Sequence, residues 1–152
     1  MSDPATLDQK WQAFLAEPHV AVLSVASDDD RPPHTVPLFY HYEPNGNVTF
    51  FTGTQGRTAR KTRLIENAGK VSMCVQKEDF PYKYVTVQGT LLKIDKPPAV
   101  EQMLAIARRY MPEDDALEFV HGELNDPKSK LVVFTIRPDR WLTSSFAEDD
   151  GN

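Results

Sequence analysis

Val48–Asn67 reads VTFFTGTQGRTARKTRLIEN, and its reading decides how the rest of the chain is arranged. The β-branched and aromatic opening, Val48-Thr49-Phe50-Phe51, predicts a strand. Gly53 and Gly56 interrupt it, and from about Thr58 to Asn67 the pattern becomes helical, with Leu64 and Ile65 as the side to be buried. The stretch carries Arg57, Arg60, Lys61 and Arg63. A strand, a glycine-bearing loop and a helix start make an anion site, because free backbone N–H groups and the helix dipole meet there. Arg adds a forked donor matched to phosphate, and Lys a compact charge. A solvated cationic helix face would show the same letters, and this stretch alone leaves both readings open.

Towards the N-terminus, Pro44-Asn45-Gly46-Asn47 is a hairpin signal that pairs Val48–Thr52 antiparallel with a strand over His34–Tyr42. Pro37 inside that strand cannot donate to a ladder, so it predicts an edge, a bulge or backbone kept open towards a ligand. Asp28-Asp29-Asp30 with Arg31-Pro32-Pro33 is a turn, and His19–Ala26 before it reads as a buried strand. Thr6-Leu7-Asp8-Gln9 reads as a capping box with Thr6 as the N-cap. Leu7, Trp11, Phe14 and Leu15 form the apolar stripe of the helix that follows, and Pro18 stops it.

Towards the C-terminus, Gly69 ends the basic helix. Val71–Gln76 alternates, with Val71, Met73 and Val75 on one face. Tyr82–Lys93 is the longest strand pattern, with Gly89 as a bend or bulge. Pro97-Pro98 opens a helix whose stripe is Val100, Met103, Leu104 and Ala107, and Met111-Pro112 ends it. A short helix over Asp114–Leu124 and a strand over Leu131–Ile136 follow. Pro138-Asp139-Arg140 reads as a turn before Trp141–Phe146. The expected fold is α+β: a six-stranded antiparallel split barrel with peripheral helices, as one domain over 1–146, and a disordered polar tail over 147–152.

The chain has 152 residues, a net charge of −5 and one cysteine, Cys74. The length suits one domain with a real core. A basic helix on an acidic background favours a local anionic ligand over nucleic acid. One cysteine allows no intrachain disulfide. With no signal-peptide pattern and no bilayer-length apolar run, a cytoplasmic protein with no membrane partner is expected.

Neither a G-x-S-x-G, a P-loop nor a G-x-G-x-x-G pattern is present. His19, His34, His41 and His121 lack zinc spacing, so no metal site is expected. On one strand, His34 and His41 would face opposite sides. With no self-sufficient catalytic constellation, an enzyme built this way borrows its chemistry from a cofactor. Tyr40, Tyr84 and His41 are candidate proton donors, with a buried group satisfied by hydrogen bonding as the favoured reading of each.

HVAVLSVA (His19–Ala26), PHTVPLFYHYEPNGNVTFFT (Pro33–Thr52), RKTRLIEN (Arg60–Asn67) and YKYVTVQG (Tyr82–Gly89) occur in an order that resembles the pyridoxamine 5′-phosphate oxidase-like flavin-binding proteins. That resemblance implies a split β-barrel homodimer with two cofactors at the subunit interface. It places Arg60 and Lys61 on the cofactor phosphate, with Arg57 as an addition from the longer loop. It lays the backbone of Val36, Pro37 and Leu38 along an isoalloxazine ring, with Phe51 and Thr52 lining the same ring. Tyr84 falls where the oxidases present a glutamine from the partner subunit. Trp141 reads either as an aromatic covering the ring or as a Trp closing the barrel end. The chain ends RWLTSSFAEDDGN, without an Arg-x-His substrate segment, so pyridoxamine phosphate oxidation itself is not expected. The resemblance implies FMN, with F420 as the alternative because KTR and PYKYVTVQG are similar to the F420-dependent branch. The expected function is hydride transfer to or from a small-molecule substrate. A non-catalytic flavin- or haem-type binder is the alternative of another class.

Overall fold

The computed structural model describes residues 3–53, 59–128 and 130–147. Its elements are α1 (Gln9–Ala16), β1 (Ala21–Val25), β2 (His34–Leu38), β3 (Tyr40–Tyr42), β4 (Val48–Gly53), α2 (Ala59–Ala68), β5 (Lys70–Lys77), β6 (Lys83–Asp95), α3 (Val100–Ala107), α4 (Glu113–Asn125) and β7 (Leu131–Ser145). The strands form one sheet in the order β2-β1-β5-β6-β7-β4-β3, all pairs antiparallel.

The sheet has seven strands where six are expected, because the strand over His34–Tyr42 breaks at Phe39. β2 pairs with β1, and β3 pairs with β4 at the opposite edge. The two outermost strands are therefore neighbours in the chain, and the sheet must curl to bring its edges together. His34 and His41 consequently sit at opposite edges rather than on opposite faces of one strand. Pro37 lies on an edge strand, where its missing N–H costs no ladder bond.

Alternation fills the barrel interior. Ala21, Leu23 and Val25 of β1, Met73 and Val75 of β5, Val85 and Val87 of β6, and Phe50 of β4 are buried, and α1 adds Trp11, Phe14 and Leu15. β7 is buried on both faces over Val132–Ile136, because Val133 points away from the barrel into a second core with Met103, Leu104, Ala107, Ala116 and Val120. That second core holds the α3–α4 pair against β4 and β7.

Two local expectations differ. Asp8, not Thr6, is the residue before α1, and no side-chain cap bond forms there, although Leu7 is still buried. Pro138–Arg140 is not a turn: β7 runs through it, and Gln88 pairs with Arg140 while Gly89 pairs with Pro138, which leaves Asp139 as an extra residue in a bulge. Gly89 is required there, since a Cβ would lie 2.4 Å from Ile136 Cγ2 and 2.7 Å from the Arg137 carbonyl oxygen. Gly69, at φ +69°, terminates α2 as expected. Among the described residues, no helix is long and apolar enough to cross a membrane.

Candidate functional site

The break at Phe39 leaves an opening between two strand edges. β2 has a ladder neighbour on one side only, β1. Beyond Phe50, the end of β4 (Phe51, Thr52, Gly53) pairs only with β7, because β3 ends at Tyr40. Between these edges lies a groove of about 520 Å³ lined by Val20, Pro37, Leu38, Phe39, Phe51, Thr52, Gly53, Lys61, Phe119, Glu123 and Leu131. Its walls are mostly apolar and aromatic. Phe51 is braced by Phe119 of α4 at 5.8 Å between ring centres.

The end of β4 is stitched to α2. The Thr62 hydroxyl donates to the Gly53 carbonyl, so the Thr52 hydroxyl donates to Thr62 Oγ1, at 2.7 Å. Both threonines are buried. This bond pair sets where the first turn of α2 stands relative to the groove, and hence where Arg60 and Lys61 point.

These two neighbours diverge. Lys61 lines the groove, and among the described residues no carboxylate pairs with it. Burial pushes its ammonium pKa down. Arg60 turns to the β1–β2 turn instead. It donates to His34 Nδ1 at 3.0 Å and to Ser27 Oγ at 2.9 Å, with Asp29 at 3.9 Å. Its Nε is buried and has no partner among the described residues. Because His34 Nδ1 accepts, the imidazole is neutral, and burial, then Arg60, Lys61 and Arg31, hold its pKa below the usual value. Arg63 pairs with Asp28, further fastening the turn to α2. Arg57 lies outside the described residues.

The remaining sequence candidates scatter. Pro37, Leu38, Phe51, Thr52 and Lys61 meet in the groove. Val36 packs on the barrel core beneath it. Tyr84 is 42% exposed on the outer sheet face, between Gln76 and Ser144. Trp141 sits at the barrel end: its indole N–H donates to the Ala5 carbonyl at 3.0 Å and its ring meets Tyr42 edge-on. Of the proton-donor candidates, Tyr40 is fully buried with its hydroxyl donating to the Leu15 carbonyl, and burial raises its pKa to about 12. Phe39, Phe119, Leu131 and Glu123 were not singled out from the sequence, since nothing in a helix stripe or a strand run shows which residue will face a gap between edges.

A second concavity, of about 530 Å³, runs past Ser24, Ser72, Gln88, Lys70 and Arg140. It has no aromatic wall, and its carboxylate, Asp139, is held by Thr90 and Arg137.

Fold and groove define an antiparallel split barrel with an aromatic-walled groove beside a cationic helix start. A family model described as pyridoxamine 5′-phosphate oxidase matches residues 7–145, and the chain belongs to that family. It is 34% identical over 77 residues to the pyridoxine/pyridoxamine 5′-phosphate oxidase of Escherichia coli O1:K1, a match spanning 47% of this chain and only 34% of that protein. Among solved structures, an F420 reductase superposes with a TM-score of 0.67 at 21% identity, over 90% of this chain and 98% of that one. A haem storage protein from Vibrio cholerae superposes with a TM-score of 0.65 at 14% identity, over 92% and 94%. At those identities the two structures establish the shared fold.

Proposed function

We propose that this protein is a flavin-dependent oxidoreductase that holds FMN in the groove and moves hydride to or from a small-molecule substrate. The observation that carries this reading is the groove itself: an aromatic slot between two unladdered strand edges, with a desolvated lysine that no carboxylate among the described residues neutralises. The residues fit such a group on three counts. Phe39, Phe51 and Pro37 supply flat apolar walls for a ring. The edges of β2 and of the β4 end can bond its polar rim, as backbone groups require when covered. Lys61 supplies the phosphate charge.

In this reading FMN supplies the redox chemistry when bound, and the protein supplies position, charge and exclusion of water. Lys61 and the start of α2 anchor the anionic end. Pro37, Leu38 and Phe51 orient the ring. Thr52 acts through Thr62 to hold the helix in place.

We also propose a homodimer. Pro37, Val22, Cys74, Thr86 and Leu142 align in register across β2-β1-β5-β6-β7, and Val20, Val22, Tyr84 and Leu142 are exposed on that outer face. A second copy covering this face would remove the exposed apolar row from water.

Titration of the purified protein with FMN, F420 and haem, followed by NAD(P)H oxidation with an added acceptor, tests the function. Tight FMN binding with turnover is expected. Tighter F420 binding would move the cofactor to the deazaflavin, and tight haem binding would replace catalysis by storage. Binding of none of them refutes the reading.

A further inference from the structure

We infer that Tyr110 and Arg109, at the corner between α3 and α4, are positioning residues that fix the Phe39 wall of the groove and so set which ring systems it accepts. Phe39 sits at the strand break and belongs to neither β2 nor β3. A residue at such a break has no ladder to hold it. Here Tyr110 and Arg109 bond the backbone of the next residue, Tyr40, from 70 and 69 residues further along the chain. The Tyr40 N–H donates to the Tyr110 hydroxyl at 3.3 Å, and that hydroxyl donates to the His19 carbonyl at 2.6 Å. The Tyr40 carbonyl accepts from Arg109, which also donates to the Leu15 and Glu17 carbonyls at 2.9 and 2.8 Å. The Arg109 guanidinium lies 4.4 Å from the centre of the Tyr40 ring.

The Phe39 ring is then stacked on the Tyr110 ring, with centres 4.2 Å apart and planes 15° apart. The same Phe39 lines the groove. Its position is thus set by a ring on α3–α4 rather than by the sheet. A pinned wall fixes the width of the slot, so a flat ligand is accepted and a bulkier one refused without any loss of barrel stability being needed to enforce it. The ligand part of this inference rests on the proposed ring site, and the placement of Phe39 does not.

The test compares Tyr110→Phe, which keeps the ring and loses the hydroxyl bonds, with Tyr110→Leu, which loses both. Aromatic ¹³C signals of Phe39, assigned with Phe39→Leu, report its stacking in the ligand-free protein. FMN and F420 titrations report the slot. Both Tyr110 variants are expected to lower the thermal midpoint, since both lose the bonds to Tyr40 and His19. Only Tyr110→Leu is expected to move the Phe39 signals and to weaken FMN binding, by roughly tenfold relative to Tyr110→Phe. Tyr110→Met takes its place should the leucine variant not fold, because it fills the space without a flat ring. Unmoved Phe39 signals, or equal FMN affinity in the two variants, overturns the positioning role. A wild-type protein that binds neither FMN nor F420 overturns the cofactor reading instead, and the Phe39 signals alone then decide the positioning role.

Discussion

Replacing Lys61 with methionine separates the charge of the groove from its shape. The side chain lines the groove, is partly desolvated and has no carboxylate partner among the described residues. Two consequences follow. In the ligand-free protein, a lysine whose pKa is lowered on folding binds its proton less tightly folded than unfolded. Its charge therefore costs stability at neutral pH, and that cost is relieved as pH rises through the folded value towards the ordinary 10.5. Lys61→Met removes the cost and keeps most of the apolar stem, so the thermal midpoint at pH 7 should hold or rise.

Ligand binding should move the other way. A charge-assisted bond to a phosphate contributes about 1.5–3 kcal/mol, which is roughly ten- to a hundredfold in Kd. Riboflavin presents the same ring without the phosphate and serves as the internal control. The assay is flavin fluorescence quenching with FMN and with riboflavin, for wild type and variant, at two salt concentrations. FMN affinity should fall by that factor, riboflavin affinity should stay within about twofold, and the salt dependence of FMN binding should shrink. An equal loss for both ligands would show that Lys61 shapes the slot rather than gripping an anion. No loss for either would remove the phosphate grip from the proposed function.

Three further outcomes are expected. Protonation of His34 is disfavoured in the folded state, so stability is complete above its ordinary pKa of 6.5 and declines as pH falls below it; thermal midpoints from pH 7.5 to 5 should show this, and His34→Gln, whose amide oxygen still accepts from Arg60, should flatten the decline. Gly89→Ala should cost about 1–3 kcal/mol in urea unfolding, because the new methyl meets a backbone carbonyl that cannot swing aside; a neutral result would show that the bulge relaxes. Trp141→Phe should lose about 1 kcal/mol with the bond to Ala5 yet leave FMN affinity within about twofold, whereas a large affinity loss would support Trp141 as a ring cover.

Much of the barrel was legible because its signals are local. Pro44–Asn47 gives the β3–β4 hairpin its turn, with Asn45 at φ 60°, and the alternation of Val71, Met73 and Val75 gives β5 its inward face. Pro37 announced an edge, a bulge or open backbone, and the edge is what forms, since a missing donor has few other places to go. The Phe39 break was not legible. TVPLFYHY reads as one continuous strand, and the groups that compensate the break, Tyr110 and Arg109, belong to a helix corner with no sequence signal linking it to residue 39. The run through Pro138 was misread for a similar reason. Pro-Asp-Arg is a turn signal in isolation, and only the Gly89 opposite it lets the strand carry a bulge there. In the site, Lys61 could be named from a charge pattern, but its divergence from Arg60 depends on which side of α2 meets the β1–β2 turn.

The cationic helix and the broken strand each lack meaning without the other. Were the strand over residues 34–42 unbroken, it would follow a single partner, and the free edge at Phe51–Gly53 would have no facing edge across a gap. Lys61 would then sit desolvated against apolar side chains with nothing to offset the cost. With the break, the two halves of one strand serve opposite edges, and the gap between them falls beside the helix that β4 itself leads into. The β4–α2 connection thus couples slot and charge through Thr52, Thr62 and Gly53. On the proposed reading the split gives Lys61 an anionic ligand, and that ligand would offset the cost of a desolvated lysine for which the described residues supply no carboxylate partner.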